Sequence, residues 1–159
     1  MDESLVWQVR HFVYSHFAEA AHPPSVDEIV AHLGISTDQA SELYKELHNR
    51  HALFLDVEKA AIRMAWPFSG IPTDFKVHAG GKTYFANCAW DMLGIPAALH
   101  ADAVIEAVCT ESNELVRLEI KNGNIAPAAV PGGGGAASSS LLVHFPLPFS
   151  HWYDDLVFT

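Results

Sequence analysis

The chain has 159 residues, 50% of them apolar and 18% charged, enough to bury one sizeable core or two small ones and too apolar for a largely disordered protein. Its 9 Lys and Arg stand against 19 Asp and Glu, a net charge of −10, so phosphate backbones are repelled and general nucleic-acid affinity is disfavoured. Two cysteines are too few for a disulfide scaffold, no secretory leader opens the chain, and no apolar run reaches the roughly 18 residues of a membrane span, so a cytoplasmic protein that does not cross a membrane is expected.

Leu5, Val6, Val9, Phe12, Val13 and Phe17 recur at steps of three or four and predict an amphipathic helix over residues 3–20, stopped by His22-Pro23-Pro24. Ser25-Val26-Asp27-Glu28 is a capping box, in which the Ser hydroxyl and the Glu carboxylate each take up a backbone N–H that the helix start leaves orphaned. The short helix it opens ends at Gly34. Ser36-Thr37-Asp38-Gln39 repeats the pattern and opens a third helix to about Arg50. Two capped helices around a glycine turn make a helix-turn-helix, and with strands over Ala52–Leu55 and Ala61–Trp66 the unit reads as a winged helix. DNA is nevertheless not the expected partner, because the third helix carries Asp38, Glu42 and Glu46 against Lys45 and Arg50.

The Pro- and Gly-broken stretch that follows divides the chain into a winged-helix-like helical unit, residues 1–66, a linker, 67–74, and a β-rich unit, 75–159. In the last, strands over Phe75–His78 and Lys82–Phe85 flank Ala79-Gly80-Gly81, a hairpin signal. Strands over Val104–Val108 and Leu115–Ile120 form a second hairpin, which Asn122-Gly123-Asn124 closes. Between the hairpins a short helix is predicted from Asn87, as N-cap, to Leu93, with Gly94-Ile95-Pro96 as its stop. Residues 127–140, rich in Pro, Gly, Ala and Ser, read as a flexible loop, Leu141–Phe145 as a strand, and the apolar ending His151–Thr159 as a sequence cut short of its natural terminus. The fold class is α+β: a three-helix unit packed on a small mixed or antiparallel sheet that holds one short site-bearing helix.

Asn87-Cys88-Ala89-Trp90-Asp91 is the sharpest local feature. A cysteine in the first turn of a helix meets unpaired N–H groups and the positive end of the dipole, which favour the thiolate and predict a lowered pKa. Asp91, three residues on, brings a carboxyl group to the same face. The spacing alone equally fits a small buried cysteine beside a surface charge. Trp66, Phe68, Tyr84, Phe85 and Trp90 surround this turn in sequence, either as the wall of a dry pocket or as an ordinary inter-domain core. The ten histidines show no zinc-ligand spacing, and no phosphate-binding loop or nucleophile elbow is present.

Phe68-Ser69-Gly70-Ile71-Pro72-Thr73, then Tyr84-Phe85-Ala86-Asn87-Cys88-Ala89-Trp90-Asp91-Met92-Leu93-Gly94-Ile95-Pro96-Ala97, resembles organomercurial (alkylmercury) lyase, in which an aromatic-rich strand enters a Cys-x-x-Asp helix with a Pro-Ala exit. The resemblance implies protonolysis of a carbon–mercury bond: Cys88 attacks and binds the metal, while Asp91 passes a proton to the leaving carbon and helps hold the ion. No cofactor is implied, the mercuric ion being the bound product, and the implied partners are a small organomercurial and a small thiol or mercuric reductase as acceptor. Cys109 matches a cysteine regarded as structural. The family's second catalytic cysteine follows a segment resembling His151–Phe158, whereas this sequence stops at Thr159. The alternative is therefore a non-catalytic soft-metal-binding or metal-responsive regulatory module that keeps the fold and one thiolate.

Overall fold

The computed structural model describes residues 2–56, 61–109, 111–127, 142–145 and 147–154, which divide into two units, Met1–Pro72 and Thr73–Thr159. The first unit begins with helix α1, Glu3–Ala20, whose buried stripe is Val6, Val9, Val13 and Phe17. Helices α2, Val26–Leu33, and α3, Thr37–Asn49, each start on a complete capping box, Ser25 with Glu28 and Ser36 with Gln39. Each cap contributes about 1 kcal/mol, a useful amount for helices this short. Ala40, Leu43, Tyr44 and Leu47 of α3 are buried, and the Tyr44 hydroxyl donates to the Pro24 carbonyl at 3.1 Å, so its burial leaves no unpaired polar atom. Arg50 clamps the start of α1 by two bonds to Glu3, at 2.6 and 2.9 Å.

Strands β1, Phe54–Asp56, β2, Ala61–Ala65, and β3, Phe68–Ser69, then pair antiparallel in that order. The stretch read as a linker, 67–74, therefore contains a strand: Phe68 is buried and stacks on Phe17 of α1 with centroids 5.2 Å apart. Burial of an aromatic ring outweighs the breaking tendency of the flanking Pro and Gly. The turn after β3 is tight, and a Cβ on Gly70 would run into the Ile62 carbonyl.

In the second unit, β4, Lys76–Ala79, β5, Lys82–Phe85, β6, Ala103–Val108, β7, Leu115–Lys121, and β8, Asn124–Pro127, form an antiparallel sheet in the order β5-β4-β6-β7-β8. The sheet has no mixed pairing among these strands. Strand β8 is an addition to the sequence reading, which took Asn122-Gly123-Asn124 as an ending. Asn122 and Gly123 have φ of 50° and 74°, the paired positive angles of a type I′ turn, so the chain reverses and pairs Lys121 with Asn124.

The alternation of period two sorts the sheet into two faces. Val77, Ala79, Tyr84, Ala103, Ile105, Ala107, Leu118 and Ile120 are buried. Helix α4, Asp91–Leu99, packs on β4 and β6. The opposite face bears a polar ladder, Thr83 to His78 at 2.9 Å, His78 to Glu106 at 3.3 Å and Arg117 to Glu106 at 3.1 Å.

Two further expectations change. The helix predicted from Asn87 to Leu93 begins instead at Asp91 and runs through Gly94 and Pro96 to Leu99. Burial of Met92, Ile95 and Pro96 offsets the roughly 3 kcal/mol that an internal proline costs. Residues 142–145 carry no strand, and Leu142 is fully open to solvent. Of the loop read over 127–140, Pro127 ends β8 and the remainder lies outside the described residues, as do residues 155–159 of the ending; Phe149–His151 form one 3-10 turn. Among the described residues no helix is long and apolar enough to cross a membrane.

Gly70→Ala is expected to destabilise the first unit by about 1–3 kcal/mol, since the methyl group meets backbone that cannot move aside. A thermal melt unchanged within a degree would show that the turn relaxes freely.

Candidate active site

Strands β5 and β6 both run antiparallel to β4, so they are parallel to each other, and α4 carries the chain between them across the sheet. The segment from β5 to α4 turns sharply at one end of the sheet, where the Ala86 N–H donates to the Phe75 carbonyl at 2.9 Å. Cys88 sits in that turn. Its carbonyl accepts the Met92 N–H at 3.2 Å, the first α-type bond of this helical turn, and the backbone N–H groups of Trp90 and Asp91 point at its sulfur. The thiol thus takes the place that a serine or aspartate side chain holds at an ordinary N-cap.

Cys88 and Asp91 meet. The thiol donates to the Asp91 carboxylate, and the Asn87 side-chain amide donates to Asp91 Oδ2 at 3.3 Å. Asp91 is only 8% exposed, and burial pushes its carboxyl group up to about 6 from 3.8, against the opposing pull of Asn87 and Cys88. The Cys88 thiol is also raised, first by burial and then by the neighbouring Asp91 charge, which together outweigh the two backbone N–H donors. This reverses the lowered pKa expected from the helix start. The dipole favours a thiolate, but partial burial and a neighbouring carboxylate oppose a second negative charge.

Cys109, expected to serve packing, is partly exposed in the turn that follows β6. Its thiol is lowered by the Ser112 hydroxyl and by the backbone N–H groups of Ser112 and Glu111. Because β5 and β6 are parallel, Cys88 and Cys109 follow strands that end on the same side of the sheet, with β4 between those strands. The aromatic candidates separate. Trp66 packs edge-on against Phe54, and Phe68 stacks on Phe17, both within the first unit. In the second unit Tyr84 is part of the buried core, whereas Trp90 is 56% exposed. Two residues missed in the sequence lie beside it: Phe145, 6.0 Å from the Trp90 ring, and Trp152, stacked on Phe145 at 5.3 Å. Their separation of more than fifty positions from Trp90 left no local signal. No three of the described His, Cys, Asp and Glu residues are grouped to hold a metal ion.

Residues 68–135 match the family model of alkylmercury lyase, MerB. A solved structure, the mercury-bound form of MerB2, shares the fold with a TM-score of 0.63 and 25% identity. The chain is thus similar to MerB2 in fold and, over residues 68–135, to the alkylmercury lyase family in sequence. The alignment covers 79% of this chain and 60% of that one, so the chain spans less than two thirds of that lyase's length. No curated protein sequence matches it. The match includes both members of the Cys88–Asp91 pair.

The buried Asp91 carries a stability cost with a defined pH dependence. A carboxyl group raised from 3.8 to about 6 favours the folded state while protonated, and that advantage is lost as pH rises from about 4 through about 6. Ionised, buried Asp91 costs about 3 kcal/mol. Asp91→Asn, which keeps shape without the charge, should therefore melt higher than the unmodified protein at pH 7.5, the gap closing below pH 4. Equal melting temperatures across that range would mean that Asp91 is hydrated.

Proposed function

We propose that the chain cleaves organomercurials by protonolysis, with Cys88 as the mercury-binding nucleophile and Asp91 as the proton carrier. The observation that supports this most is the direct contact of the Cys88 thiol with the buried Asp91 carboxyl group. Mercury is a soft cation that prefers sulfur to oxygen donors, and a thiolate on the metal places electron density where it weakens the carbon–mercury bond. As the Cys88 sulfur binds mercury, its proton passes to Asp91, which lies in contact with it. The carbon–mercury bond then breaks with its electron pair on carbon, Asp91 delivers the proton to that carbon, and the hydrocarbon leaves. Mercury(II) stays on Cys88, and the Asp91 carboxylate is restored. Raised pKa values suit both groups to holding one shared proton near neutral pH.

The mercuric ion is product in this reading. Within the given 159 residues the other sulfur is that of Cys109, and a small thiol is a further donor to the metal that would also carry the product away, directly or to a reductase. Free thiols of this kind require a reducing compartment such as the cytoplasm. We read the first unit as winged-helix-like without a DNA-reading role: on α3 Lys45 is paired with Glu42 at 2.8 Å, and Arg50 is held by Glu46 as well as Glu3. Those cations are already neutralised.

Incubation with an arylmercury or alkylmercury compound and excess small thiol should release one hydrocarbon per mercury bound. Mercury uptake without hydrocarbon would favour the non-catalytic soft-metal module instead. In a Cys109→Ser background, Cys88→Ser should lose both uptake and release, because an alcohol is a poor mercury ligand, whereas Asp91→Asn should retain uptake and lose release by at least about 100-fold. Retention of full mercury affinity by Cys88→Ser in that background would remove the site assignment.

A further inference from the structure

The proposed reaction needs a sulfur and a proton, and neither of these groups binds the organic part of the substrate. The second unit supplies a feature that can. Trp90, whose backbone N–H points at the Cys88 sulfur, leaves its indole 56% exposed. Phe145 lies against it with ring planes tilted by 59°, and is itself 41% exposed. Trp152 stacks on Phe145 at 27° and is fixed by its indole N–H, which donates to the Leu147 carbonyl at 3.0 Å. Three rings thus form a row that begins two residues from the nucleophile. Elsewhere in the same unit Tyr84 is buried in the sheet core, and the exposed Tyr153, at 41%, is the sequence neighbour of Trp152.

We propose that Trp90, Phe145 and Trp152 form the surface that recognises the organic group, and that the site favours arylmercury compounds over short-chain alkylmercury compounds. This rests on the proposed lyase reading and deepens it. A flat aryl group bound through mercury to Cys88 can lie offset or edge-on against a neighbouring ring, the geometries in which aromatic pairs attract beyond simple area burial. A methyl or ethyl group has no π-face to engage the row. Aromatic pairing of this kind corresponds to roughly a two- to tenfold preference. Trp90 and Phe145 meet across more than fifty residues of chain, so the row depends on the fold.

The test compares kcat/KM for release of benzene from a phenylmercury thiolate and of methane from a methylmercury thiolate, using the full chain. Phe145→Leu and Trp152→Leu keep apolar bulk and remove the π-face. Each should lower the aryl-to-alkyl ratio roughly two- to tenfold, whereas Trp7→Leu, an exposed tryptophan of the other unit, should leave the ratio alone. A parallel titration follows quenching of tryptophan fluorescence in Asp91→Asn protein by the same two compounds. It should give tighter aryl binding that weakens when Phe145→Leu is added. An aryl-to-alkyl ratio unmoved by both ring substitutions overturns the inference. Release of no hydrocarbon by the unmodified protein would instead overturn the lyase reading, and the binding ratio would then decide the recognition surface by itself.

Discussion

A carboxyl group held out of water against a thiol is the interaction on which the second unit is organised. Asp91 can occupy that position because α4 is anchored from below: Met92, Ile95 and Pro96 are buried residues of the helix that packs on β4 and β6. The helix therefore begins at the end of β5, and the turn that joins them has little freedom to place Cys88 elsewhere. Two backbone N–H groups aimed at the sulfur and one side-chain amide aimed at the carboxylate complete the arrangement. The same burial that positions the pair raises both pKa values and makes the ionised carboxylate unfavourable for the fold. Under the proposed reaction rate and stability thus pull Asp91 in opposite directions, and the stability for it is drawn from the apolar face of the sheet.

The rest of the second unit limits how the pair can be approached. Parallel β5 and β6, separated by β4, end on one side of the sheet, which sets Cys88 and Cys109 at that side in two different chemical settings. Cys88 shares a proton with an acid, while Cys109 is lowered by hydroxyl and backbone donors in an exposed turn. The polar ladder from Thr83 to Arg117 occupies the other sheet face, away from the buried side that α4 covers. In the first unit, capping boxes and the Arg50 clamp account for three short helices around one small core.

Local signals in the sequence were strong where the physics is local. Helix starts at Ser25 and Ser36 were legible because a capping box is a contact across three residues, and the hairpin at Gly80-Gly81 because two positive φ angles demand such residues. The Asn122-Gly123 turn carried the same kind of signal, and β8 follows from it. The Cys88-x-x-Asp91 pair, with its flanking aromatic residues, was legible as a motif, and the fold brings its two side chains together.

What the amino-acid order determined by itself is the set of elements whose stabilising contacts lie within a few residues, together with the family likeness carried by residues 84–97. Tertiary structure decided everything that depends on burial. It carried α4 through Gly94 and Pro96, turned the expected linker at Phe68 into a strand, placed Phe145 and Trp152 beside Trp90, and raised the Cys88 thiol that its helix-start position would have lowered. The reason is common to all four: the free energy of removing a group from water is set by neighbours distant in the chain, and no local pattern encodes their arrival.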